Sequence, residues 1–477
     1  MSCSSDTRGA RANAGCIDAL PPKRRALPSR TPYPPGATNA NWFGLFNALS
    51  WQITLGSPMI LYAKSLGASA LTLGLLASFT PLLVILQLPA AHWLPRWGYR
   101  RFILAGWGSR TVLIFALAAI PLLPWLGSSM RLALVVLCLF LFNLLRGMAS
   151  GAWLPWISEL IPGELRGRFL SRDQIFAQVG SLFALGIAAV VLSSRSRPEP
   201  WQFSLAFAIS AVGATVSLWF CRRIPDVTAP DALKRSGAPV PWQAMLTYPP
   251  FFRLMLFNVL YFAAAGGLGV FTVAYLKGRA GYSESSILWL SVLAIVGALL
   301  TLPRVGHVLD RKGSKPVLRS SVLTLLLVVG GWWAVSANLV GQGPWIVGAL
   351  NLIGGMAGAG FGVANARMVM ATMPLMGRNH FFALFTVITN LALAASPIVW
   401  GALLDLIGQA QYGQAISWNR YSIYFALAFA VGIVALAFEH RLAEAHQTVS
   451  EVPLRRPSPV PAVQSAAAAG ANPAPPG

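Results

Sequence analysis

Apolar residues in this chain come in runs of about 20, the length a helix needs to cross the hydrocarbon core of a bilayer. Polar and charged residues gather in the short stretches between the runs. The runs fall at roughly 42–62, 71–94, 102–125, 132–156, 170–193, 200–221, 254–275, 284–303, 316–338, 344–365, 381–405 and 420–439. A backbone in lipid must satisfy its own hydrogen bonds, and a helix does so within one segment. The pattern therefore predicts an all-α membrane protein with twelve transmembrane helices, spans 1 to 12. Residues 1–40 and 441–477 are rich in Pro and Ala with few large apolar side chains, and are expected to be disordered tails. The start of the chain has no apolar core of the kind a cleavable signal requires, so span 1 is expected to serve as the insertion signal.

Composition supports this picture. Of the 477 residues, 56% are hydrophobic and only 10% charged, against about a quarter charged in a soluble domain. The net charge of +22 does not indicate a nucleic-acid partner, because it is spread over loops and tails instead of one folded basic module. Lys and Arg number 27 on one side of the predicted topology and 7 on the other, with 2 inside spans. The positive-inside rule then places both termini in the cytoplasm, with a bacterial inner membrane as the expected location. Cys3, Cys16, Cys138 and Cys221 show no paired spacing, so neither a disulfide framework nor a metal site is indicated, and no cofactor is expected. No nucleophile with a base, His-Glu metal motif or aspartate pair points to an enzyme.

The chain repeats itself. "AHWLPRWG" from Ala91 returns 215 positions later as "GHVLDRKG" from Gly306, sharing His, Leu, Arg and Gly at the same four places. Phe46-Asn47-Ala48-Leu49 returns as Phe257-Asn258-Val259-Leu260 at an offset of 211, and Pro162, Arg166 and Phe169 match Pro374, Arg378 and Phe381 at 212. The near-constant offset predicts two six-span halves, residues 41–221 and 251–440, joined by a basic cytoplasmic loop at 222–250. Parallel six-span repeats are a transporter architecture with the solute site near the midplane between them.

These residues resemble the major facilitator superfamily over roughly residues 40–440. "GHVLDRKGSK" looks like that family's signature between the second and third spans of a half, a Gly, then Asp-Arg, then Gly and a basic residue. Gly313 permits a tight reversal, while Arg311, Lys312 and Lys315 hold the loop on the cytoplasmic face. The N-terminal copy keeps Arg96, Gly98, Arg100 and Arg101 but carries Pro95 in place of the acid. The resemblance implies two cytoplasmic latches built on Arg96, Gly98, Asp310, Arg311 and Gly313, with Asp310 set against Arg168 at the start of span 5. It also implies that the first and fourth helices of each half line a central cavity.

Polar stripes fall on those helices. Asn47, Ser50 and Thr54 lie on one face of span 1; Asn143, Arg146 and Ser150 on one face of span 4; Asn258 and Tyr261 on span 7; Asn351 and Asn365 on span 10. Gln178 and Asn390 add polar groups on spans 5 and 11. Two readings stand for each amide or hydroxyl: a solute contact, or an inter-helix hydrogen bond contributing about 0.6 kcal/mol. The glycines at 266–269 and 354–362 read as bending or close-packing positions. Arg146 differs, since a cation at mid-membrane costs about 2.5–3.5 kcal/mol and no carboxylate lies at matching depth in the sequence. An anionic solute group would supply the missing charge, as would backbone carbonyls and amides in a structural role. Arg110 in span 3 presents the same choice.

The expected function is secondary or facilitative transport of a small polar or anionic organic solute by alternating access, with the solute and the lipid bilayer as partners. Efflux of amphipathic compounds and a non-transporting sensor on the same fold are the alternatives. Neither the glycine pattern around Arg146 nor span 5 matches the exporter motifs of the family, and no mid-membrane carboxylate offers a proton carrier, so the coupling ion stays open.

Overall fold

The computed structural model describes residues 33–90, 93–193, 198–227, 246–372, 378–409 and 416–442. Ten helices among them are long and apolar enough to cross a membrane, and they correspond to spans 3 to 12. Spans 1 and 2 are present but irregular. Span 1 runs as Thr38–Leu55 and Ser57–Ser65, broken at Gly56, and span 2 is the shorter helix Ala70–Val84. The chain is a multi-pass integral membrane protein. Twelve spans bring the chain back to the face from which it starts, here the terminal face.

Both irregularities follow from proline. Pro58 lacks a donor and enters the second part of span 1 as one of its first two residues, where that donor is not needed. The apolar run predicted to carry span 2 unbroken to residue 94 instead ends at Val84 and resumes as Gln87–Ala90 and Leu94–Trp97. Pro89 explains the break, because its ring excludes the carbonyl four residues earlier, at Ile85. Span 8, expected to end near 303, continues as Glu284–Lys312. Residues 33–40, assigned to the N-terminal tail from composition, are packed on the bundle, 38–40 as the first residues of span 1: Ala37 and Ala40 are buried, and Tyr33 packs edge-on against Phe169 at 5.7 Å. Residues 1–32 and 443–477 of the tails and 228–245 of the central loop lie outside the described residues.

The two octets end alike. Gly98 has φ of 73° and Gly313 φ of 80°, a region L-residues with side chains avoid, and each opens the next helix, Tyr99–Ala119 or Ser314–Ser336. The basic residues that follow, Arg100 and Lys315, occupy equivalent places. Arg100 donates to the Arg222 carbonyl at the end of span 6, and Lys315 donates to the His440 and Leu442 carbonyls at 3.0 and 2.9 Å, at the end of span 12. Each cation thereby satisfies carbonyls left unpaired at a helix C-terminus.

Within the first half, span 1 packs on spans 5 and 6, and span 4 on spans 2 and 3. In the second, span 10 packs on spans 8 and 9, and spans 11 and 12 on span 7. Within the glycine run 354–362, Gly355 and Gly360 are close-packing positions, where a Cβ would run into the Ala294 carbonyl and the Ser321 side chain, while Gly358 and Gly362 face open space; on the facing span 8 a Cβ at Gly297 would run into the Leu352 carbonyl. Gly266 and Gly267 mark a break in span 7 between Pro249–Ala265 and Leu268–Gly278. Trp125, Trp201 and Trp345 are exposed at helix ends opposite the terminal face, and Trp42, Trp97 and Trp219 near it, as aromatic belts at two membrane interfaces require.

Spans of different halves meet chiefly as span 2 on span 11 and span 5 on span 8. The first pair forms a ladder away from the terminal face. Asp405 accepts from the Ala70 and Leu71 N–H groups at 3.0 and 2.8 Å, capping span 2 from span 11. Deeper, Gly401 packs on the Ala70 carbonyl and Gly74 on that of Pro397, and Ser78 donates to the Ala394 carbonyl at 2.6 Å. Ser57 and Ser291 pair at 3.2 Å, and Trp289 lies against Gly186.

Candidate solute site

Two cations and their neighbours form the polar centre of the first half. Asn143 sits one turn before Arg146 on span 4, held by its own helix through a 2.9 Å bond to the Leu139 carbonyl. Its side-chain oxygen accepts from the Thr80 hydroxyl of span 2 at 3.0 Å. Arg146 donates to the Thr80 carbonyl at 3.4 Å, a long contact, and its Nε is buried without a hydrogen-bond partner. Gly147 makes this approach feasible, because a side chain there would strike the Leu83 carbonyl. Thr80 thus joins the site through both its hydroxyl and its carbonyl.

Arg110 is more enclosed. It is 4% exposed, donates to the Asn47 side-chain oxygen of span 1, and lies over the rings of Trp107 and Phe142 at 4.9 and 5.3 Å. Its Nε also lacks a partner, and it feels the charge of Arg146. Among the described residues neither arginine is in an ion pair. Cation–π contact compensates Arg110. Arg146, half-buried, has only the carbonyl and the amide cluster.

The other sequence-selected residues are differently placed. Thr54 is fully buried and faces span 6, where its hydroxyl pairs with Ser210 at 2.7 Å. Asn258 and Asn365 exchange amide hydrogen bonds at 3.1 and 2.7 Å, joining span 7 to span 10. Tyr261 is buried and stacked on Phe361 with centroids 3.4 Å apart. Asn351 and Asn390 donate to carbonyls of their own helices, Val347 and Thr386, and are half-buried, as is Gln178. The structure thus brings Asn143 and Arg146 together around Thr80 and Asn47 onto Arg110, while Thr54, Asn258 and Tyr261 make helix-joining contacts. Thr80 escaped the sequence reading because a lone Thr in an apolar run carries no pattern. Arg96 and Arg311 are exposed, Gly98 and Gly313 make the turns, and the side chains of Arg168 and Asp310 lie outside the described residues.

Comparison with known proteins accords with this geometry. Residues 42–354 match the model of the Major Facilitator Superfamily. The chain is 24% identical over 253 residues to the ectoine/proline transporter ProP of Corynebacterium glutamicum, a match covering 47% of this chain and 49% of that protein. It therefore spans about half the length of the curated relative it matches. Among solved structures it resembles a D-xylose-proton symporter, with a TM-score of 0.66 at 16% identity, covering 86% of this chain and 97% of the other. The nucleoside transporter NupG superposes with a TM-score of 0.61 at 12% identity, covering 87% and 100%. Those identities speak to the fold alone. With the match extending over more than half of its length, the chain belongs to the Major Facilitator Superfamily.

Proposed function

We propose that this protein is a transporter that moves a small polar organic solute bearing a negative group across the membrane by alternating access. The observation that carries the reading is Arg146: a half-buried cation on span 4 with an unpartnered Nε and a long carbonyl contact, and no ion pair among the described residues. A solute carboxylate or phosphate supplies the missing charge in a charge-assisted pair, with Asn143 and Thr80 alongside. Proline, one of the solutes in the relative's name, carries a carboxylate. Gln178, Asn351 and Asn390, half-buried on spans 5, 10 and 11, are the polar groups available to the rest of the solute. The two halves, 41–221 and 251–440, are the rocking bodies, and the described state is the one closed away from the terminal face.

The excess of Lys and Arg at the terminal face supports a cytoplasmic terminal face in a bacterial inner membrane, and on that reading this state is inward-facing. The latch belongs to the opposite state: Asp310 meets Arg168 and the start of span 5, and Pro95 has no counterpart contact. Asp310→Asn is therefore expected to raise the inward-facing population in accessibility labelling, and Pro95→Ala to leave it unchanged.

The test of the anion reading is solute binding by purified protein, screened by thermal shift against carboxylates and their neutral amides, since ligands of the folded state raise apparent stability. Arg146→Ala is expected to weaken binding of the best carboxylate by several hundredfold, because removing one partner of a buried pair costs about 3–5 kcal/mol and each 1.4 kcal/mol is about tenfold. Arg146→Lys loses less, and Gln178→Ala far less. Well-folded Arg146→Ala protein with unchanged affinity would falsify the reading in favour of a neutral solute.

A further inference from the structure

A cleft of about 620 Å³ opens on the outside of the second half, at the terminal face, between the start of span 7 and the end of span 12. Its lining is Phe252, Arg253, Leu256, Phe438 and Arg441. Two cations and three apolar side chains share it, and no acid does. Arg253 is the fifth residue of Pro249–Ala265, and Arg441 lies two residues beyond Glu439, which ends span 12. Both guanidinium groups are exposed and stand where the helices leave the hydrocarbon. Phe252 and Leu256 are one helical turn apart and face the same side, toward the acyl region.

The charges in this cleft are not consumed by the protein. Neither Arg253 nor Arg441 is in an ion pair among the described residues. Arg441 instead rests over the Phe438 ring at 5.5 Å. Glu439, the neighbouring acid, is buried, and the cations whose charge it feels are Lys315, His440 and Arg319. The start of span 7 adds the positive end of a helix dipole to the same place.

A second lipid-facing cleft serves as an internal contrast. It lies between spans 8 and 10, near the other membrane face, and is walled by Leu290, Leu293, Leu352, Trp345 and small residues without any charge. That cleft suits acyl chains of any lipid. The cleft at span 7 pairs an apolar floor with two cations at head-group depth, the arrangement of basic inter-helix pockets that hold anionic lipid head groups.

We infer that the cleft lined by Phe252, Arg253, Leu256, Phe438 and Arg441 binds an anionic phospholipid, with the two guanidinium groups on its phosphate and an acyl chain along the apolar wall. Planar guanidinium matches phosphate oxygens in paired hydrogen bonds. The inference concerns the outer surface of the second half and is independent of what the central site transports.

The test is native mass spectrometry of the full-length protein titrated in detergent with phosphatidylglycerol, cardiolipin or phosphatidylcholine. Wild-type protein is expected to retain phosphatidylglycerol or cardiolipin at least tenfold more strongly than phosphatidylcholine. The Arg253→Gln/Arg441→Gln double variant should lose that preference, while Trp345→Ala at the uncharged cleft should keep it. Both arginines are exposed, and Arg253→Lys/Arg441→Lys, which keeps the charge, should retain most of the preference and controls for folding. Retention of phosphatidylglycerol by the glutamine variant equal to wild type overturns the proposal. So does equal binding of phosphatidylcholine, and so does full displacement of the lipid by millimolar inorganic phosphate, which would make this a small-anion site.

Discussion

The two ends of the bundle are held by opposite means. Away from the terminal face the halves are bonded to each other: Asp405 of span 11 caps span 2, and Gly74 and Gly401 let the two backbones meet. At the terminal face each half is bonded to itself, Arg100 to the end of span 6 and Lys315 to the end of span 12. One end is a joint between bodies and the other a brace within each body. The difference teaches where motion is available. A seam of backbone against backbone is short-ranged and forfeits its dispersion energy once separated by an ångström. In the proposed rocking motion, braces internal to each half survive while the halves turn.

The sharpest way to break this comparison is at Gly74. A side chain there runs into the Pro397 carbonyl of the other half, whereas one at Gly147 runs into the Leu83 carbonyl within the same half. Gly74→Leu should open the far end, raising the labelling rate of a cysteine placed at Ser78 by an order of magnitude or more, with a clear loss of thermal stability. Gly147→Leu should lose comparable stability with no rise in labelling. Overpacking of a tight contact costs about 1–3 kcal/mol. Equal labelling in the two variants would mean that the seam does not divide the molecule into bodies.

A smaller effect is expected at the cap. Asp405 is exposed, so Asp405→Ala should remove about 1 kcal/mol from the closed end, in the range of helix N-cap losses, a shift of roughly fivefold in the same labelling assay. Ser69, whose hydroxyl accepts from the Thr72 N–H at 3.2 Å, caps the same helix from its own half. Ser69→Ala should lower stability by a similar amount and leave accessibility where it was. If both alanine variants shift labelling alike, the Asp405 contact acts as an ordinary cap.

The smallest effect belongs to the braces. Lys315→Gln and Arg100→Gln should each reduce thermal stability by a degree or two, because exposed cation–carbonyl contacts at a helix end contribute about 0.3–1 kcal/mol. Neither should alter labelling at either face. A change in accessibility from Lys315→Gln would show that the brace reaches across the halves.

Much of this architecture was written in the order of residues. Twelve apolar runs, interrupted by basic loops, leave helices as the only solution in lipid, because no water is present to satisfy a bare backbone. The two octets announced their turns, since Gly98 and Gly313 are the residues that tolerate a positive φ. That Arg146 has no ion pair among the described residues was legible too, because no acid in the sequence lies at its depth in the spans. Even the interruption of span 2 follows from Pro89, although the unbroken apolar run concealed it.

Tertiary structure alone decided which groups meet. The period of a helix shows which positions share a face but does not say which helix that face will find. Thr54 and Asn143 both lie on polar stripes, yet one is buried against Ser210 of span 6 and the other pairs with Thr80 of span 2. Asn47 anchors Arg110, a cation from a helix that the stripe rule left aside. The seam is least visible in sequence: Gly74 and Pro397 are far apart in the chain, and neither carries a polar signal. Their contact arises only where the two halves meet, because close packing is a property of the joined surfaces and not of either helix alone.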